Sequence, residues 1–103
     1  MSEVPGLKRL RTRIDALDRQ VLAALARRFE VVREIGALKR AHGLDTYQKG
    51  RWQALMAARL ALAGELGLDP RFTRAFFTAV HSEALRLQRA PAKKGAARKP
   101  TKR

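Results

Sequence analysis

The side chains best suited to chemistry are three cations on one predicted helix, Arg11, Arg28 and Lys39. Arg28 interrupts a run of apolar residues that repeats at helical spacing: Leu7, Leu10, Ile14, Leu17, Val21, Ala24, Val31, Ile35 and Leu38. A guanidinium set in an apolar seam is strongly unfavourable unless an anion meets it. That anion is either a carboxylate of the protein, with Glu83 or Asp18 of either chain as candidates, or a bound ligand. Lys39 lies eleven residues further on, close to three helical turns. The two cations therefore point the same way, with Cα atoms ~16 Å apart. Two long side chains reaching towards each other leave a gap suited to a small molecule with anionic or electron-rich ends. Arg11 lies ~42 Å along the axis from Lys39, too far to serve the same pocket in the same chain. In an antiparallel dimer it could serve the partner's pocket.

These cations sit on the first of three predicted helices. Helix 1 starts after Pro5-Gly6 at Leu7 and runs to Gly43, a suitable left-handed stop, with Lys39, Arg40 and His42 at the negative end of its dipole. Such a helix is ~50 Å long, whereas a compact domain of this size has a radius of gyration of ~13 Å. It needs a partner, and a second copy is the simplest one. Helix 2 is predicted from about Tyr47 to Leu66, with Gly67 as its stop and Trp52, Leu55, Met56, Ala63 and Leu66 on its apolar side. Helix 3 opens on Asp69 as N-cap and Pro70 as first helical residue. It carries Phe72, Phe76, Val80, Ala84 and Leu87 on one face, and Pro91 follows its end near Arg89. No strand signal or repeat is present. The expected fold is all-α: three helices, one very long, forming an intertwined homodimeric bundle.

Composition narrows the function classes. With 46% hydrophobic residues in 103, the chain reads as one small globular domain. There are no cysteines, so disulfides and thiolate metal sites are excluded. Only His42 and His81 could supply imidazole, and no metal or other cofactor is expected. No apolar run is long enough to span a bilayer and no signal-peptide core is present, which makes the cytoplasm the expected location. The net charge of +14 is partly that of residues 91–103, expected to be a basic disordered tail, but the remainder is still basic. Specific nucleic-acid binding is disfavoured, because basic residues of the folded part occupy seam positions rather than an exposed reading face. An anionic ligand accounts for the charge better. Trp52 is read as a core or pocket-wall residue, and His81, beside Phe76-Phe77, as a structural histidine.

The ordered motifs resemble a known family. Arg11, Ile14-Asp15-Ala16-Leu17-Asp18, Arg28 and Ile35-Gly36-Ala37-Leu38-Lys39 resemble the first helix of the all-helical (type II) chorismate mutases. The resemblance continues through Arg51, Gly67-Leu68-Asp69-Pro70-Arg71-Phe72 and Gln88, over a domain at residues 7–90 that leaves residues 1–6 as an N-terminal extension. It implies rearrangement of chorismate to prephenate in the biosynthesis of phenylalanine and tyrosine, without covalent intermediate or cofactor. Catalysis then rests on holding the substrate in its reactive conformation and stabilising charge at the breaking ether oxygen. By the resemblance, Arg28 and the Arg11 of the partner chain bind the two carboxylates. Lys39 and Gln88 donate to the ether oxygen, and Arg51 lines the site.

The chain departs from that pattern where it has Gln48, Trp52 and Ala84, positions at which the family often carries two acids and a serine. The resemblance then implies that Gln48 replaces an acid as partner of the ring hydroxyl, with Glu83 helping from helix 3. Tyr47-Gln48, Gly50-Arg51-Trp52 and Val80-His81-Ser82-Glu83 resemble a subgroup of these domains, some of them fused to other shikimate-pathway enzymes. Three alternatives follow: a lyase acting on isochorismate, a mutase acting on aminodeoxychorismate, and a weakly active binding module that regulates a partner enzyme of aromatic biosynthesis.

Overall fold

The computed structural model describes residues 4–89, which form three α-helices and no strand. They are α1 (Leu7–Ala41), α2 (Lys49–Leu66) and α3 (Pro70–Arg89). The expected tail at residues 91–103, and residues 1–3 of the N-terminal extension, lie outside the described residues. No helix among the described residues is long and apolar enough to cross a membrane.

Local chemistry accounts for the helix ends. Gly43 adopts φ 67°, and the amide of Leu44 donates to the Lys39 carbonyl (2.8 Å) while that of Gly43 donates to Arg40 (3.3 Å). This pair satisfies two carbonyls that a helix end would otherwise orphan, in a geometry only glycine adopts readily. Gly67 closes α2 in the same way, with Leu68 donating to Ala63 (2.8 Å). Asp69 caps α3 through Oδ1, which accepts from the amides of Arg71 (2.7 Å) and Phe72 (3.2 Å). Helix 2 begins at Lys49 and not at Tyr47: Gln48 is its N-cap in an extended conformation, and its side chain makes no capping bond. No Ser, Thr, Asp or Asn stands at that cap, so composition marked the boundary only loosely.

The chain divides after Val31 into two compact units. In the first, α1 is the only helix, and its predicted stripe is open: Leu10, Ile14, Leu17 and Val21 are all exposed, each by about half of its surface. Arg28 and Phe29 are half-buried. The second unit packs α2 and α3 on each other with the end of α1. Its core is Val32, Leu55, Met56, Ala63, Val80, Ala84 and Leu87, together with the polar residues Thr73 and Gln88. Phe72 and Leu66, expected on the buried faces, are 60% and 66% exposed. Both sit in terminal turns near the α2–α3 connection, where Phe72 stacks on Phe76 rather than entering the core.

Candidate functional site

Within the second unit the expected polar residues gather around Lys39. The glycine-closed end of α1 turns the chain back so that the carbonyl of Thr46 accepts from Lys39 Nζ at 2.7 Å. The same Nζ donates to Oε1 of Gln88, at the far end of α3, at 3.0 Å. Lys39 and Gln88, 49 residues apart in sequence, therefore meet directly. Gln88 is 8% exposed, and a buried amide keeps a fixed orientation only when its polar atoms are engaged. Arg40 secures it further, donating from Nη1 to the Gln88 carbonyl, one of the carbonyls left open at the end of α3.

Gly36 lets α1 come this close. A Cβ at Gly36 would lie 2.9 Å from Cα of Gln88 and 3.1 Å from its carbonyl oxygen, so main chain meets main chain with nothing flexible to yield. Overpacking of this kind typically costs ~1–3 kcal/mol, which exceeds the ~1 kcal/mol that alanine gains over glycine in helix propensity. Gly36→Ala is therefore expected to lower the melting temperature and to weaken the Lys39–Gln88 contact. Gly64, inside α2, has open space where its Cβ would be. Gly64→Ala should instead raise stability by ~0.5–1 kcal/mol. Thermal melts of the two variants, expected to shift in opposite directions, check the packing argument.

The start of α2 adds the remaining groups. Arg51 is near enough for its charge to act on Lys39, whose ammonium is held below the ordinary lysine value of 10.5, first by burial and then by Arg51. Gln48 stands just before the helix, and the amide of Trp52 donates to its carbonyl at 3.0 Å. The Trp52 ring lies flat on His81 of α3, with centroids 4.0 Å apart and planes 18° apart, and Tyr47 meets His81 edge-on at 5.8 Å.

Two groups of expected site residues stand elsewhere. Glu83 is held by Arg86, whose Nε and Nη2 donate to its two oxygens at 2.9 and 2.6 Å. Those bonds, with the charges of Arg86 and Arg33, hold its carboxyl below the usual range against a smaller opposing effect of burial. Arg11 and Arg28 belong to the first unit. Sequence reasoning did not foresee Arg40, the Thr46 carbonyl, the close approach at Gly36 or the Trp52–His81 stack. Only Gly36 left a signal, as a lone glycine inside a helical pattern.

The arrangement is one of donors. Lys39 has one N–H beyond the two it places, and the Gln88 amide group carries two more beside it. Both can converge on a single acceptor and stabilise negative charge growing there. No cluster of His, Asp or Glu able to hold a metal occurs among the described residues. A family model for chorismate mutase type II matches residues 10–89, which takes in this whole array. The chain belongs to the type II chorismate mutase family. It is 40% identical over 69 residues to the T-protein of Haemophilus influenzae, a match covering 67% of this chain and 18% of that protein. It is 33% identical over 82 residues to the 4-amino-4-deoxychorismate mutase of Streptomyces pristinaespiralis, covering 80% of this chain and 64% of that one. To the enzyme of the same name from Streptomyces venezuelae it is 31% identical over 88 residues, 85% of each. The chain thus spans less than a fifth of the T-protein but most of the 4-amino-4-deoxychorismate mutase from Streptomyces venezuelae.

Proposed function

We propose that the protein is a chorismate mutase, rearranging chorismate to prephenate in the cytoplasmic synthesis of phenylalanine and tyrosine. The observation that carries this reading is the Lys39–Gln88 pair, two donors joined at 3.0 Å beside a cationic Arg51. In the rearrangement the ring–ether C–O bond breaks as a C–C bond forms between the enolpyruvyl methylene and the ring. Negative charge builds on the departing ether oxygen, where two preorganised donors are most useful. The substrate's two carboxylates are assigned to Arg28 and, from a second copy, Arg11, on the sequence resemblance. Gln48 is assigned to the ring substituent. Glu83 reaches that substituent only by sharing its pair with Arg86. Support for a second copy comes from the exposed apolar stripe of α1, which a soluble helix does not leave uncovered.

A second reading, a mutase acting on 4-amino-4-deoxychorismate, is favoured by the relatives of that name, which the chain covers most fully. Charge argues for chorismate first. An alkylammonium on the ring would be repelled by Lys39 and Arg51, while the carboxylate of Glu83 is committed to Arg86. Incubating the purified protein with chorismate, isochorismate and 4-amino-4-deoxychorismate and identifying the products decides among them. Prephenate from chorismate is expected. Pyruvate from isochorismate, or turnover of the amino compound alone, would overturn the reading.

The perturbed lysine also sets a pH dependence. Lys39 brings a positive charge to the ether oxygen only when protonated, so kcat/KM should fall at high pH with a midpoint below 10.5. Arg51→Gln removes the second cause but not burial, so it should move that limb only part of the way upward. Stability runs the other way. The unfolded chain holds the Lys39 proton to higher pH than the folded one, so this group's contribution to stability rises with pH through the same window. Opposite slopes of activity and melting temperature across that window are the expected signature. A limb that ignores Arg51→Gln would detach it from Lys39.

A further inference from the structure

We propose that Arg40 is a positioning residue: it holds the last turn of α3 so that the Gln88 amide keeps its place beside Lys39. The inference rests on the mutase reading for what Gln88 does, and on the chain's own contacts for what Arg40 does. Gly36, Lys39 and Arg40 stand at i, i+3 and i+4 on α1, so they share one face of the helix. All three meet the same residue. Gly36 admits the Cα of Gln88 where its own Cβ would be, Lys39 Nζ donates to Gln88 Oε1, and Arg40 Nη1 donates to the Gln88 carbonyl.

The three contacts act differently. Gly36 sets how closely the two main chains can approach, but a bare Cα does not hold them there. Lys39 engages only the far end of the Gln88 side chain. Gln88 is the last residue but one of α3, so its carbonyl has no partner within the helix. A terminal turn with open carbonyls frays at little cost, and the amide of Gln88 then moves with its Cα. The Arg40 guanidinium satisfies that carbonyl with a charge-assisted bond, which is stronger than one between neutral groups. Charge favours the arrangement as well. Because α1 ends at Ala41 and α3 at Arg89, the contacts to Gln88 bring the negative ends of two helix dipoles together. Lys39 is committed to the Gln88 side chain and the Thr46 carbonyl, while Arg40 meets the main chain of α3.

The experiment compares the parent with Arg40→Met, which keeps the length but not the donors, and Arg40→Lys, which keeps a charged donor. Gln88→Met, which keeps the carbonyl but has no amide, and the double variant Arg40→Met with Gln88→Met complete a cycle. Steady-state constants for chorismate are measured well below the melting transition of each protein. Small misplacements of a group near the chemistry are costly, so Arg40→Met should lower kcat about tenfold. KM should stay within about twofold, because the substrate's carboxylates are assigned to other residues. Arg40→Lys should recover part of kcat. In the Gln88→Met background Arg40→Met should cost nothing further, because the group it positions is gone. The side-chain amide signals of Gln88 give a readout without turnover: in Arg40→Met they should move towards those of an exposed glutamine, and in Arg40→Lys they should not. Parental kcat in Arg40→Met, equal losses in the two backgrounds, or unmoved Gln88 signals would each overturn the inference. A parent that does not turn over chorismate would sink the mutase reading instead, and the Gln88 signals would still decide whether Arg40 positions that amide.

Discussion

Replacing Lys39 with alanine is expected to lower chorismate turnover by ~10²–10³, the loss typical when one preorganised donor to a developing oxyanion is removed. The loss should appear in kcat, because charge on the ether oxygen grows only as the bond breaks. Stability should change far less. The variant gives up two hydrogen bonds, to the Thr46 carbonyl and Gln88 Oε1, each worth ~1 kcal/mol net. It also removes an ammonium that burial and Arg51 both disfavour, which offsets part of that loss. Kinetics and a thermal melt on the same preparation separate the two effects. Near-parental kcat in a folded Lys39→Ala protein would remove Lys39 from the chemistry. A kcat loss matched by collapse of the melting transition would reduce it to a staple between the α1–α2 loop and α3.

What the sequence revealed was mostly local. Asp69-Pro70 and the glycines at 43 and 67 act through their own neighbours, so the bounds of α3 and the stops of α1 and α2 could be read from a few residues each. Lys39 and Gln88 were legible as types at family positions, but their meeting depends on Gly36. A lone helical glycine says only that propensity has been given up there. Its use appears when the Gln88 main chain lies 2.9 Å from its missing Cβ. Periodicity also chose the more apolar of two adjacent faces on α1. Val31, Ile35 and Leu38 are exposed, while Val32, Gly36 and Lys39, one residue on and so about 100° around the helix, face the rest of their unit. The Arg40 and Thr46 contacts end on main-chain oxygens, which no side-chain pattern announces. The Glu83–Arg86 pair did have a signal in its i,i+3 spacing, and that local pairing competes with any ligand role for Glu83.

The second large effect concerns sharing of the site between chains. Arg11→Ala and Arg28→Ala should each lose most activity, because each removes a carboxylate partner from every pocket of the proposed dimer. Mixed in equal amounts, unfolded and refolded together, the two variants should recover about a quarter of parental turnover. Random pairing makes half of the dimers mixed, and each mixed dimer has one pocket with both arginines and one with neither. That figure follows from the symmetry of a two-fold dimer, and the residual activity of the unmixed dimers adds to it. The exposed stripe of α1, from Leu10 to Leu38, gives the pairing its physical basis, since apolar surface of that extent is unfavourable in water until another copy covers it. Tagging the two variants differently lets the mixed dimer be isolated and assayed alone, where half of parental turnover per dimer is expected. If mixed dimers form and remain as inactive as either variant, Arg11 and Arg28 do not meet one substrate across two chains. A monomer by sedimentation that still converts chorismate would remove the second copy from the site altogether.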